Sequence, residues 1–309
     1  MRSCSPPRTV VAVSELEARL AALTGERRRL LDRLAARDLA VPTDTEPPDN
    51  PGRPATKGSL DPHNADVAAF YDAITARLDA TLVGPWAVFL NYGYCDGDHD
   101  QGTVTVPERT VDRTSVKLIV ELVGGCSLDG CRVLDVGCGR GGTVATLLRY
   151  YCPRAVVGVD LSPAAISFCQ RSQRDPRARF EIGDAQRLAF PDGSFDVVTN
   201  VESSHCYEDV AAFYAEARRL LVPGGIFLYT DLIATSSLSA RLAKLAELGL
   251  RPEVERDVTA NVLRSCDLVA TRRSAAFTGT TGSDLHDFLA IPGSLPYEKM
   301  RSGEATYII

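Results

Sequence analysis

Short apolar runs recur along the chain from residue 132 to residue 230, at 132–136, 155–159, 178–182, 195–199 and 226–230, each bounded by glycine, proline or polar residues. The stretches between most of them carry apolar positions at helical spacing, so this span reads as strands alternating with helices. Such alternation predicts a parallel sheet covered by helices on both faces, with a ligand crevice outside the strands' carboxyl ends. Ahead of it, 64–83 and 111–123 have helical periodicity and flank an aromatic and then acidic segment at 86–100. Behind it come a helical pattern, an alternating run at 253–259, irregular helical stretches and a last apolar run at 306–309.

The first forty residues differ in kind. Residues 14–38 start with a capping box, Ser14 and Glu17, and place Leu16, Leu20, Leu23, Leu30 and Leu34 on one helical face. Six prolines follow between 42 and 62, a composition that favours extended chain over a packed core. The organisation expected is an amphipathic helix at 1–40, a linker at 41–62 and one α/β domain at 63–309. That domain divides into a helical cap (63–125), a core (126–235) and a C-terminal segment (236–309). The leading helix either folds back on the domain or docks to a partner.

A net charge of −6, with no basic block beyond residue 60, gives no electrostatic footprint for nucleic acid. Nine cysteines without a CxxC pair read as reduced thiols of a cytoplasmic protein, and the N-terminal apolar stretch is too short for a secretory or membrane segment. The acidic run from Asp96 to Asp100 lacks the remaining ligands of a calcium loop and reads as a solvated turn, so no metal is expected.

The first strand passes into a helix through Val136-Gly137-Cys138-Gly139-Arg140-Gly141-Gly142. The glycines let a ligand approach the backbone, yet their spacing also fits a dinucleotide fingerprint. Asp135 separates the alternatives, because a carboxylate two residues before the first glycine repels a pyrophosphate, by about 4 kcal/mol at about 4 Å and an effective dielectric of about 20. The same charge attracts an amino-acid ammonium. Asp160, 25 residues on and ending the second strand, is placed to accept from ribose hydroxyls. Asp184 follows the third strand and can accept from an adenine amine, with the small Ala185 leaving room for the ring. Each carboxylate alone could be a helix N-cap, but three at successive strand ends beside the glycines point to one nucleoside pocket.

The segments VLDVGCGRGG, VVGVDLSP, GDAQRLAFPDGSFDVV and LLVPGGIFLYTDL resemble the ordered motifs of class I S-adenosylmethionine-dependent methyltransferases over residues 132–232. NVESSHCYEDVAAFYAEARRLL, RDVTANVLRSC and PGSLPYEKMRSGEATYII are similar to natural-product enzymes of that class, such as the phthiotriol dimycocerosate, macrolide-sugar and microcystin O-methyltransferases. The resemblance implies a Rossmann-like, seven-stranded, mostly parallel sheet with an N-terminal helical cap, and S-adenosylmethionine as cofactor. It implies a cofactor site at Tyr71, Asn91, Asp135, Gly137, Cys138, Gly139, Asp160, Leu161, Asp184, Ala185, Asn200 and Val201. Tyr71 and the run Asn91-Tyr92-Gly93-Tyr94 resemble elements that lid the cofactor. Their plain alternative is core aromatics of the cap, and Cys95 stands where the family often has tryptophan.

Removing a proton from a hydroxyl acceptor needs a base at the crevice, and Asn200-Val201-Glu202-Ser203-Ser204-His205 follows the fourth strand directly. His205 is the candidate base, against the reading of a satisfied surface histidine. Glu202 can orient His205, hold the cofactor's ammonium or bind the acceptor. Cys206 reads as a buried small hydrophobe. The expected acceptor is a small apolar molecule such as a polyketide, peptide-polyketide or lipid, and oxygen and carbon methylation both stay open on the residues alone. LTGERRRLLDRLAARDL resembles linker helices between synthase modules, which implies a biosynthetic synthase or carrier protein as a possible partner.

Overall fold

The computed structural model describes residues 62–81, 84–97, 100–276 and 287–309. The expected leading helix, most of the proline-rich linker, and Asp98 and His99 of the acidic run lie outside these residues.

Helix α1 (Pro62–Asp79) opens on a proline, whose missing N–H costs nothing in a first turn. It buries Asn64, Ala68, Ile74, Thr75 and Leu78, a stripe at helical spacing. A single 3-10 turn, Gly84–Trp86, and an extended run lead to α2 (Arg113–Val123), in which every residue from Thr114 onward is buried. Two of those, Lys117 and Glu121, have ionisable side chains, and both are paired. Lys117 meets Glu121 at 3.4 Å and Asp96 at 2.8 Å, and Glu121 also accepts from Arg256 and from the backbone of Gln101 and Gly102.

The alternation then unfolds as β1 (Arg132–Val136), α3 (Gly142–Tyr150), β2 (Ala155–Asp160), α4 (Pro163–Ser172), β3 (Ala178–Ile182), β4 (Phe195–Val201), α5 (Val210–Leu220) and β5 (Leu221–Ala234). Helices α6 (Leu238–Glu247), α7 (Thr259–Ala276) and α8 (Leu295–Ser302) precede the edge strand β6 (Ala305–Ile308). The sheet order is β3-β2-β1-β4-β5-β6, parallel except for β6, which runs antiparallel along β5. Order reverses between β1 and β4, so the crevice opens above their carboxyl ends. Two apolar layers flank the sheet, one holding Leu134, Val136, Phe213 and Leu220, the other Val133, Leu147, Val156 and Val197.

The expectation of seven strands is corrected to six among the described residues. Residues 256–258 run along the free edge of β6, with Arg256 and Ile309 exchanging backbone hydrogen bonds and Asp257 bridged to Ile308, but the ladder stops there because Tyr307 N donates to the Thr259 hydroxyl and not to a backbone carbonyl. Strand β5 begins earlier than its apolar run, since Leu221 pairs with Phe195 before an irregularity restores the register at Ile226.

Candidate active site

Above β1 and β4 lies a cavity of about 950 Å³, its open mouth included. Its wall joins the glycine turn, the tips of β2 and β4, the inner face of α1, the run from Val88 to Tyr92, and Phe288. Eleven of the residues expected at the site are brought together there: Tyr71, Asn91, Gly137, Cys138, Gly139, Asp160, Leu161, Ala185, Val201, Glu202 and His205. Asp135, Asp184 and Asn200 stand behind the wall. Asp135 is fully buried and accepts from Thr199 Oγ1 at 2.7 Å; burial pushes its carboxyl up to about 7. Asn200 donates to the Val136 carbonyl and to Ser203 and Tyr207, which fill the space beside Gly137. Asp184 accepts from Asn64 at 3.1 Å and from the backbone of Gln186, so it fastens α1 to the tip of β3.

The glycine turn is shaped by backbone that other residues resist. Gly137 and Gly139 have φ of 73° and 50°, in the left-handed region. The Gly139 N–H donates to Asp160 Oδ2 at 2.8 Å, and Ser162 N donates to Oδ1 at 2.9 Å. Each oxygen keeps a second lone pair for a ligand hydroxyl. Burial raises the Asp160 carboxyl, an effect that those backbone donors oppose. Two buried acceptors beside the turn, Asp135 Oδ2 and Asn200 Oδ1, have no partner. An incoming ammonium would satisfy both and favour ionised Asp135, whereas a pyrophosphate, which brings only further acceptors and negative charge, would be disfavoured beside that carboxyl.

At the far side of the cavity His205 sits in the 3-10 turn Ser204–Cys206 that follows β4. Its Nδ1 lies 2.7 Å from Oδ1 of Asp231, a fully buried carboxylate on β5. Asp231 also accepts from Ser204 Oγ at 2.6 Å, from His205 N at 3.0 Å and from Leu232 N at 2.8 Å. Burial works against charge on the His205 ring, but the Asp231 carboxylate outweighs it and holds the imidazolium well above its usual range. Burial likewise opposes ionisation of Asp231, which His205 and the hydroxyl donor keep below the usual carboxylate value. The His205 side chain keeps 38% of its surface exposed, on the ring that lines the cavity. His205 therefore has an orienting partner, and that partner is Asp231, not Glu202.

Glu202 takes a left-handed backbone, φ 49°, unusual for a side chain with a Cβ. Its carboxylate accepts from Tyr92 N at 2.7 Å and from the Tyr307 hydroxyl on β6. Burial raises it to about 7 against those two donors. It thus pins the Asn91-Tyr92 segment to the cavity floor. Cys206 is corrected from a buried hydrophobe to a half-buried thiol on the wall, with Sγ 3.6 Å from the Tyr71 hydroxyl. Val67, Ala68, Val88, Phe89 and Leu90 of the cap, with Phe288, make an apolar side to the wall. Among the described residues no group of three or more His, Cys, Asp or Glu could hold a metal ion, and no helix is long and apolar enough to cross a membrane.

Asp231 and Tyr307 were not singled out from the sequence. Asp231 had the signal used for Asp160, a carboxylate ending an apolar strand, inside a motif already noted for its resemblance. Tyr307 had none, since its hydroxyl reaches Glu202 across 105 residues of chain.

Residues 134–229 match the family of methyltransferase domains. A probable phthiotriol/phenolphthiotriol dimycocerosates methyltransferase 2 of Mycobacterium ulcerans is 39% identical over 181 residues, 59% of this chain and 70% of that one. A fatty-acid O-methyltransferase of Mycolicibacterium smegmatis is 34% identical over 222 residues, 71% of this chain and 81% of that one. The crystal structure of a geranyl diphosphate C-methyltransferase from Streptomyces coelicolor, complexed with S-adenosyl-L-homocysteine, superposes with a TM-score of 0.57 at 21% identity, covering 81% of this chain and 97% of that one.

Proposed function

The chain belongs to the class I S-adenosylmethionine-dependent methyltransferases, and from that premise we propose that it methylates a hydroxyl oxygen of a lipid or polyketide acceptor, with His205 as the base. One observation carries the reading: the contact of His205 Nδ1 with buried Asp231 at 2.7 Å, on a ring that faces the cavity. The apolar wall and the lipid substrates in the names of its relatives support an apolar acceptor.

Bound S-adenosylmethionine supplies an electrophilic methyl group on a sulfonium. Asp160 would accept from its ribose hydroxyls, and the Gly137–Gly139 turn with Asp135 and Asn200 behind it would hold its amino-acid end. Asp231 holds His205 with Nδ1–H as donor, which leaves Nε2 as the nitrogen that would take the acceptor's proton. The imidazolium so formed is stabilised by the same carboxylate. In the free protein that carboxylate raises the ring's affinity for a proton; a second cation bound in the cavity would oppose this and favour the neutral imidazole that proton abstraction requires. The walls align the acceptor for in-line attack, the larger part of the catalysis for a displacement of this kind.

Incubation with methyl-labelled S-adenosylmethionine and a series of long-chain acids, hydroxy acids and diols, read by mass spectrometry, tests the proposal. One labelled methyl on a hydroxyl oxygen is expected. A label on carbon, or on the acid carboxylate alone, would overturn it.

A further inference from the structure

Arg140 belongs to the glycine turn by sequence but gives its side chain to the cap. The guanidinium is fully buried. Nε donates to Ala87 O at 2.7 Å, Nη1 to Thr75 O at 3.3 Å, and Nη2 to Gly84 O at 2.8 Å. Nη2 also pairs with Asp79 at 2.8 Å, and the plane stacks 3.5 Å over Phe168 of α4. Thr75 and Asp79 are in the last turn of α1, where a cation also complements the helix dipole. One side chain therefore ties the end of α1 and the turn after it to the loop that cradles the cofactor.

The space left by the glycines points the same way independently. A Cβ on Gly142 would lie 2.5 Å from Phe89 Cδ1 and 2.9 Å from Val88 O, and one on Gly139 would lie 3.1 Å from Leu90 Cδ1. Gly142 does not have the positive φ that demands glycine. Its missing side chain accommodates the cap segment.

We infer that the turn Gly139–Gly142 is a seat for the cap segment Gly84–Leu90, with Arg140 as the positioning residue that locks cap to turn, so that seating the cap and capturing the cofactor are one event. The inference rests on the cofactor alone and holds whichever acceptor is methylated. Asn91 and Tyr92 follow the seated segment directly, and Tyr71 lies on the helix that Arg140 anchors, so all three wall residues depend on the lock. Lysine cannot replace it, because three donors on one nitrogen do not span four acceptors fixed around a planar fork.

The test measures S-adenosylhomocysteine affinity by calorimetry, and hydrogen exchange of peptides 68–79 and 84–91 with and without that ligand. In the native protein both peptides should gain protection on binding. Arg140→Gln should lose that ligand-dependent gain and weaken affinity about tenfold or more, with Arg140→Lys in between. A residue that only stabilised the fold would lower the melting temperature and leave the gain intact. Native affinity with a native gain in Arg140→Gln would overturn the inference. Should that variant fail to fold, Gly142→Ala leaves the guanidinium contacts in place while its methyl displaces Phe89. The same loss is expected there, and native protection in Gly142→Ala would equally overturn the inference.

Discussion

Replacing Asp231 by Asn keeps the shape of the buried carboxyl and exchanges one acceptor oxygen for a donor. Four donors converge on the two oxygens now: Ser204 Oγ and His205 N on one, His205 Nδ1 and Leu232 N on the other. If the amide nitrogen faces Nδ1, the ring must take the other tautomer, with its lone pair on Nδ1 and nothing on Nε2 to accept a proton. If the amide faces the other way, the ring keeps its orientation but the imidazolium loses its counter-charge. Either orientation sets a backbone N–H against an amide donor, a cost of about 1–3 kcal/mol, or roughly 2–4 °C in melting temperature per kcal/mol for a large domain.

Turnover should fall by about 10²- to 10⁴-fold, the range for losing a positioned general base or its tautomer. The pH dependence changes as well. Because Asp231 raises the His205 value in the free protein, the rising limb of kcat/KM should lie above the ordinary histidine range in the native enzyme. In Asp231→Asn that limb should move to lower pH, since burial alone lowers the ring. Linkage has a matching sign: a raised histidine contributes stability below its unfolded value, lost as pH climbs through the folded one. The variant should therefore be most destabilised in mildly acidic buffer. Rates with labelled methyl donor across pH, with melting curves, provide the assay. Native kcat together with an unmoved limb would refute the reasoning.

Asp160→Ala should abolish cofactor binding, since it removes both the ribose acceptors and the partner of the Gly139 N–H; calorimetry with S-adenosylhomocysteine checks this, and retained affinity would count against the assignment. Asp135 stays protonated in the fold up to about pH 7, through burial, while its unfolded counterpart ionises near pH 4. Its contribution to stability therefore falls as pH rises through that window, and Asp135→Asn should gain relative stability between about pH 4 and pH 7. Urea midpoints at both ends of the window give the comparison, and a constant difference would contradict it.

Where partners are local, the sequence was sufficient. Strands β1 and β3 occupy the residues that their apolar runs mark out. The run at 253–259 makes only an isolated bridge because Tyr307 N turns to the Thr259 hydroxyl, a side-chain competition that the pattern of the run does not show. The same logic divides the site. His205, Glu202 and Asp160 were legible from their place after strands, whereas the meeting of His205 with Asp231 follows from the β4–β5 register, which aligns Val201 with Thr230. Asp135 and Asn200 were read at the wall from motif position alone. They lie behind it because Thr199 and the Ser203–Tyr207 pair engage their side chains.

The role of His205 as base is the claim on which the chemistry depends, and turnover of His205→Ala with and without added imidazole tests it most directly. The variant should bind S-adenosylhomocysteine as the native protein does and lose turnover about 100-fold or more, with imidazole restoring part of the rate in proportion to its neutral form. Turnover of His205→Ala at the native rate near neutral pH, without imidazole, would contradict the account.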